Sequence, residues 1–272
     1  MGTPRLGLVM LLVAAGASLW AQDGPGPKTL REMIDASVKQ VEILAGSEAA
    51  LPAEPLVALR WANNARGSED GTTLLYIHEG KPLATACLYP WDGKLVHDFE
   101  SLSRGPLIGR KDGAVIWRPK TGLKFAPIPD ALPPEATPAQ RLRQMKTLSE
   151  QFQSSLLGWK ADNTDREQLR LLPKPLYRYE PKSGPVFDGA VFAFVMGTDP
   201  ESLLLIEAVE TGGKRTWEFA FARRTSGELE GRHKDKVVWH AQRFPGMKNP
   251  DHPRISVGTP IPPKLLAPVQ EK

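Results

Sequence analysis

The strongest constraint on the fold is a series of short patterns that occurs twice, in the same order, along the chain. The recurring pairs are Arg60-Trp61 with Arg178-Tyr179 and Asp70-Gly71 with Asp188-Gly189. The longest recurrence aligns residues 107–117 with residues 229–239 without a gap. Ordered recurrence at a nearly fixed spacing is typical of an internal repeat. We therefore predict a tandem duplication.

Each predicted copy consists of one helix followed by about five strands. Residues 29–44 and 139–157 place apolar side chains at helical intervals, and the segments after them are rich in β-branched and aromatic residues. The Asp-Gly pairs predict hairpin turns in both copies. Because no helical pattern separates consecutive strands, the strands are expected to pair antiparallel. The predicted fold class is α+β, with two tandem copies of a helix plus antiparallel β-meander module, related by a pseudo-twofold axis.

The same patterns divide the chain into five segments. These are residues 1–21 as a signal peptide, 28–119 as the first α+β module, 120–138 as a Pro-rich linker, 139–241 as the second α+β module and 242–272 as a Pro-rich extended tail. Two copies in one chain resemble a fused homodimer. We therefore expect a monomer with pseudo-dimeric halves.

The amino-terminal segment indicates export. Residues 6–15 form an uncharged apolar run after Arg5, and small residues follow it, with Ala17 and Ala21 as alternative cleavage positions. This order is typical of a secretory signal peptide. The run is shorter than the roughly 20 apolar residues of a transmembrane helix, and no later stretch is long enough. We predict a secreted or periplasmic protein with no membrane span in the mature chain.

The cysteine and charge content narrow the class of protein further. The single cysteine, Cys87, rules out an intramolecular disulfide, and its apolar sequence neighbours predict a core residue rather than a nucleophile. The formal net charge is +4, with both signs interspersed along the chain. Nucleic-acid-binding proteins ordinarily carry a stripe of basic residues. No nucleic-acid partner is therefore expected.

Familiar catalytic and cofactor motifs are missing from the sequence. It contains no C-x-x-C, H-E-x-x-H, G-x-S-x-G or Walker motif, and its five histidines do not fall at metal-ligand spacing. We expect no cofactor and no metal. One catalytic alternative is a hydrolase or lyase that uses His97 or His240 with Asp98 or Glu100. Two carboxylates on one strand face are, however, more often simply solvated.

The residues that recur in both copies supply the ligand-binding candidates. The candidates are Arg60, Trp61, Arg104, Arg178, Tyr179 and Arg224, together with His97 and His240. In one interpretation the arginines are structural and pair with carboxylates or stack on aromatic rings. In the other, arginines and aromatic rings converge on a cleft that holds a small anionic or sugar-like ligand.

Part of the sequence resembles a known family. The segments LLPKPLYRY at residues 171–179, DGAVFAFV at 188–195 and GTDPE at 197–201 resemble a family of uncharacterised secreted bacterial proteins of the planctomycete type. The resemblance covers mainly the second copy. It implies bacterial export and assigns no catalytic residue.

Together these features favour an exported, non-enzymatic binding or interaction protein on a duplicated scaffold. Its partner would be a protein or a small anionic or sugar-like ligand. The hydrolase or lyase is the alternative, and a purely structural envelope protein is a third hypothesis.

Overall fold

The computed structural model describes residues 27–63, 68–158, 165–244 and 248–266. The predicted signal peptide therefore lies outside the described residues. Within them the chain is mostly β, with 54% of residues in strands and 11% helical, and its several sheets include a curled half-barrel. The prediction of an α+β fold built from duplicated helix plus meander modules is wrong.

The two helices begin where the sequence predicts, but each ends several residues before its predicted end. Helix α1 spans Leu30–Val38 and helix α2 spans Pro138–Ser149. Thr29 and Thr137 cap them, each accepting a hydrogen bond through its side-chain oxygen from a backbone N–H of the first turn. The predicted helices continued to residues 44 and 157. Those last residues form short strands instead, because the same apolar spacing also fits an extended chain with one or both faces buried.

The strands are, in chain order, β1 Val41–Ala45, β2 Glu54–Asn63, β3 Ser68–His78, β4 Lys81–Trp91, β5 Lys94–Ser101, β6 Leu107–Lys111, β7 Ala114–Trp117, β8 Ala126–Pro127, β9 Phe152–Leu157, β10 Arg166–Gln168, β11 Arg170–Leu171, β12 Tyr177–Tyr179, β13 Val186–Met196, β14 Asp199–Thr211, β15 Lys214–Arg223, β16 Glu228–His233, β17 Lys236–Ala241 and β18 Arg254–Pro260. A short 3-10 helix at Pro263–Leu265 follows.

In the described part of the chain these strands form four antiparallel sheets. The two larger sheets have the orders β18-β5-β4-β3-β2 and β11-β13-β14-β15-β8, with β12 also paired to β13. The two smaller sheets have the orders β1-β6-β7 and β10-β9-β16-β17. The strands after α1 therefore do not all belong to one meander. β1 pairs with the distant β6 and not with β2, the next strand in the chain. Within the predicted tail, β18 adds an edge to the first large sheet through β5.

The two Asp-Gly pairs lie inside strands rather than at the predicted turns. Gly71 is on β3 opposite Trp61, and Gly189 is on β13 opposite Tyr179. A Cβ atom on Gly71 would lie 2.3 Å from the Trp61 ring, and one on Gly189 would lie 2.5 Å from the Tyr179 ring. The glycines are required there because an aromatic ring packs directly on the backbone, and not because the backbone needs a positive φ angle.

The two large sheets are joined by a buried charged cluster beside an apolar core. Glu207, on β14, is fully buried. Its carboxylate accepts a hydrogen bond from the Tyr179 hydroxyl at 3.0 Å and pairs with Lys81 Nζ at 2.9 Å. Arg104 Nη2 lies 2.7 Å from both Glu207 and Glu218. Lys81 and Arg104 precede α2 in the chain, and Glu207 follows it. The cluster therefore joins the residues before α2, here called the first half, to those after it, the second half.

A second contact between the halves fixes two strand ends that border the cavity described below. The Thr198 hydroxyl donates to the Ala62 carbonyl at 2.8 Å, and the Ala62 N–H lies 3.2 Å from the same hydroxyl oxygen. Next to it, Asn63 Nδ2 donates to Asp199 Oδ2 at 2.9 Å. The end of β2 is thereby fixed against the beginning of β14.

Candidate functional site

A cavity of about 370 Å³ lies at this junction, with walls from both halves. The first half supplies Trp61, Cys87, Tyr89, Trp91 and Asp98. The remaining lining residues are Asp199, Glu201, Arg224, Thr225, Ser226, Gly227, Arg243 and Phe244. Since all five residues of the first group lie on strands, the backbone of that wall is held by sheet hydrogen bonds.

The aromatic part of the wall follows from strand alternation. Cys87, Tyr89 and Trp91 are alternate residues of β4, so they project to the same face of the sheet. Trp61, on β2, is almost buried; its Nε1 donates to Thr73 Oγ1 at 3.1 Å, and its ring centroid lies 6.1 Å from that of Tyr89. Trp91 is 54% exposed. The wall therefore offers apolar ring surface to a ligand, with one ring in contact with solvent.

Three carboxylates form part of the polar wall. Asp199 and Glu201 are alternate residues of β14, and Asp98 lies on β5. Asp98 is already held, because Oδ2 accepts hydrogen bonds from Arg254 Nη2 at 2.7 Å and from the Tyr89 hydroxyl at 3.0 Å. These carboxylate oxygens give the cavity a set of hydrogen-bond acceptors.

Burial shifts the pKa of Cys87, which lines the cavity, and of Glu100, which does not. Glu100 is buried, with Oε2 3.8 Å from Arg254 Nη1. Burial raises the pKa of its carboxyl to about 7, although the nearby guanidinium groups, with Arg254 the strongest, act in the opposite direction. Burial also raises the pKa of the Cys87 thiol to about 11. The thiol is therefore neutral at physiological pH and poorly suited to act as a nucleophile.

Arg224 differs from the other arginines of this region. Its side chain is 3% exposed and lines the cavity, and no described residue accepts a hydrogen bond from any of its three guanidinium nitrogens. Its backbone is fixed, since the Arg224 N–H donates to the Glu201 carbonyl at 2.8 Å. The three nitrogens have almost no accessible surface, so other atoms of Arg224 contact the cavity.

The structure brings two of the predicted binding candidates, Trp61 and Arg224, to this cavity. The other arginines of that set pair with carboxylates elsewhere. Arg60 contacts Asp35 at 2.8 Å, and Arg178 contacts the fully buried Asp188 at 2.7 Å.

Arg104 and Tyr179 belong to the Glu207 cluster described above. Their placement, with that of Arg60 and Arg178, favours the structural interpretation for these four residues. Among the six arginine and aromatic candidates, the cleft interpretation keeps only Trp61 and Arg224.

The histidine candidates lie outside the cavity. His97 alternates with Asp98 along β5, so its ring points into the apolar core beside Phe99, with ring centroids 6.0 Å apart. Burial lowers the pKa of His97 to about 3, and neither ring nitrogen has a hydrogen-bond partner in the described residues. His240 is exposed on β17, with Nε2 3.1 Å from Glu228 Oε1. Neither histidine is placed to act with Asp98 on a ligand in the cavity.

We expect His97→Leu to raise the free energy of unfolding at about pH 7 by roughly 1 kcal/mol, because it removes two buried nitrogens without partners. The substitution should also reduce acid sensitivity. Since the folded-state pKa of about 3 lies below the ordinary 6.5, the unfolded chain binds the proton first, and His97 costs stability as pH falls below 6.5. Urea denaturation at two pH values measures both effects. His240→Leu is the exposed control, and a lower stability for His97→Leu at neutral pH would contradict the prediction.

Sequence reasoning missed most of the cavity wall. The alternation Cys87, Tyr89, Trp91 could have indicated one shared face, since all three are bulky or apolar at a spacing of two. Asp199, Glu201 and Phe244 carry no comparable signal. They reach the cavity through contacts between segments far apart in sequence, such as Asn63 with Asp199.

Comparison with protein-family models, curated proteins and solved structures finds no match. In the part of the chain that the structure describes, no group of three or more His, Cys, Asp or Glu side chains is placed to hold a metal ion. Neither helix of that part is long and apolar enough to cross a bilayer.

Proposed function

We propose that this chain is an exported, non-enzymatic binding protein that holds a small polar ligand in the cavity between Trp61 and Arg224. The observation that carries the proposal is the composition of this wall: aromatic, carboxylate and arginine residues line one space. Ligand sites in proteins typically combine apolar walls with a few fixed polar groups.

The size and rigidity of the cavity support this function. Its volume of about 370 Å³ falls in the range of roughly 300–1,000 Å³ that is typical of small-molecule sites. Trp61 is fixed by its hydrogen bond to Thr73, and Asp98 is fixed by Arg254 and Tyr89. A site that is formed before its ligand arrives loses less entropy on binding.

The positions of the titratable groups favour binding over catalysis. His97 is buried on the opposite face of β5, His240 is on another sheet, and the Cys87 thiol is neutral. The hydrolase or lyase hypothesis therefore lacks the histidine base on which it depended. Export is part of the proposal and is supported by the apolar run at residues 6–15 and by the family resemblance.

The proposed function is tested by thermal unfolding of the mature chain with a panel of sugars, sugar acids, sugar phosphates and amino acids. We expect at least one class to raise the midpoint of unfolding. Trp91→Ala should weaken that ligand's binding about fivefold, since it removes a half-exposed aromatic contact of about 1 kcal/mol.

Leu132→Ala is the matched control, because Leu132 is 78% exposed and is not part of the cavity wall. It should leave the affinity unchanged. The proposal fails if no compound in the panel shifts the midpoint, or if Trp91→Ala and Leu132→Ala bind every positive compound as the unsubstituted chain does.

A further inference from the structure

We infer that the ligand of this cavity is an uncharged ring of the neutral-sugar class, which stacks on Trp91. The inference rests on the proposed function and adds the chemical class of the ligand. It depends on two observations. The charged side chains of the wall already have partners within the protein, and the groups that remain open are one aromatic ring and two hydroxyl side chains.

The carboxylates of the wall are each engaged by the protein. Asp98 is paired with the buried Arg254 at 2.7 Å. Asp199 accepts a hydrogen bond from Asn63 at 2.9 Å, and Glu201 also has a partner. The wall therefore offers no free counter-charge to a cationic ligand.

The arginines of the wall are engaged as well. The three guanidinium nitrogens of Arg224 have almost no accessible surface, and its charge acts on Glu100 and on the Cys87 thiol. Arg243 donates through Nη2 to the Gly158 carbonyl oxygen and has a further contact within the protein. An anionic ligand would likewise lack a free cation with which to pair.

This arrangement disfavours a charged ligand. A carboxylate or an ammonium group that leaves water without gaining a counter-charge loses much of its hydration free energy. An uncharged ligand avoids that loss. Of the two small-ligand types predicted from the sequence, the sugar-like one therefore fits this wall, and the anionic one does not.

Trp91 is the open apolar surface of the wall. It is 54% exposed, whereas Trp61 and Phe244 are each 7% exposed. Trp91 is the last residue of β4 and is followed by the two-residue turn Asp92-Gly93, with φ angles of 48° and 68°. Positive φ angles at both central residues are typical of a tight hairpin turn. The Trp91 ring is thus presented by a turn of defined geometry, and the face of a ligand ring can stack on it.

The open polar groups belong to the loop between β15 and β16. Ser226 is exposed, Thr225 is half-buried, and both line the cavity. The loop backbone is held in place, because the Ser226 carbonyl accepts a hydrogen bond from the Phe244 N–H at 2.8 Å. A hydroxyl side chain can both donate and accept a hydrogen bond, as the hydroxyls of a sugar do. A pyranose has an apolar C–H face and hydroxyls around its rim, so it matches both the Trp91 ring and these side chains.

The test compares sugars that share a pyranose ring and differ in charge, by isothermal titration calorimetry on the mature chain. D-glucose is uncharged, D-glucuronate is an anion, and D-glucosamine is a cation at the slightly acidic pH of the measurement. The corresponding galactose series is measured in the same way. We expect the neutral member of at least one series to bind about tenfold or more tightly than both charged members.

Substitutions of exposed wall residues test the contacts. Trp91→Phe should keep the affinity for the neutral sugar within about threefold, whereas Trp91→Leu should weaken it about fivefold or more, because leucine is apolar but has no flat ring. Ser226→Ala should weaken it about threefold to tenfold through loss of a hydrogen bond. Leu132→Ala, outside the wall, is the control and should bind every sugar as the unsubstituted chain does.

The inference is overturned if a charged sugar binds as tightly as the neutral member of its series, if no neutral sugar binds, or if Trp91→Leu or Ser226→Ala keeps the full affinity. Failure of the proposed function is a different outcome. A charged compound of the thermal-unfolding panel that binds and is weakened by Trp91→Ala would support the binding cavity and overturn the neutral-sugar ligand. Absence of binding across the whole panel would overturn both.

Discussion

Glu207→Ala is expected to lower the free energy of unfolding by about 1–3 kcal/mol, the usual cost of leaving a buried donor without its acceptor. Glu207 is fully buried and pairs with Lys81 and Arg104 from the other half of the chain. Its loss would also leave the buried Tyr179 hydroxyl without its acceptor. Urea denaturation followed by tryptophan fluorescence and by circular dichroism measures the change.

Glu210→Ala is the matched control on the same strand. Glu210 pairs with Arg215 at 2.7 Å, but both side chains are close to half exposed. Exposed ion pairs contribute roughly 0–1 kcal/mol, so this variant should stay within that range. Equal losses for the two variants would show that the Glu207 cluster does not hold the halves together.

Gly71→Ala is expected to lower the free energy of unfolding by about 1–3 kcal/mol, the usual cost of overfilling a packed interior, and to weaken ligand binding as well. The new Cβ would lie 2.3 Å from the Trp61 ring, so the ring must move. Trp61 is held by Thr73 and lies against Tyr89. Its displacement would alter a wall of the proposed binding cavity. Denaturation and calorimetry measure the two effects separately.

Gly105→Ala is the control for the glycine substitution. A Cβ there meets only the Ser103 side-chain oxygen, at 3.9 Å, which is ordinary contact. We expect a change within about 0.5 kcal/mol and unaltered binding. If Gly71→Ala were as stable as Gly105→Ala, the close packing of Trp61 on β3 would not be needed for the fold.

The local features of the fold could be predicted, but its overall class could not. Thr29 and Thr137 mark the helix starts because a capping side chain acts over three residues of sequence. The pairing of β1 with β6, or of β18 with β5, depends on contacts between distant segments. Nothing in their apolar alternation specifies the partner. The two Asp-Gly pairs were assigned to turns for the same reason: a ring packed on Gly71 is invisible until β2 and β3 are paired.

The candidate site, like the fold, was predictable only in part, because sequence patterns do not show which side chains become buried. Trp61 and Arg224 were identified because arginines and aromatic residues recur along the chain. Recurrence alone also selected Arg60 and Arg178, which form ion pairs elsewhere. Burial without an acceptor distinguishes Arg224 from them, and burial is a property of the assembled sheets.

The most direct test of the binding cavity is the NMR signal of the tryptophan indole N–H groups during titration with the compound that shifts thermal unfolding most. We predict that the signals of Trp61 and Trp91 move in a saturable way, while those of Trp117 and Trp217, which do not line the cavity, stay in place. Saturable movement confined to Trp117 or Trp217, with Trp61 and Trp91 unchanged, would contradict a ligand site in this cavity.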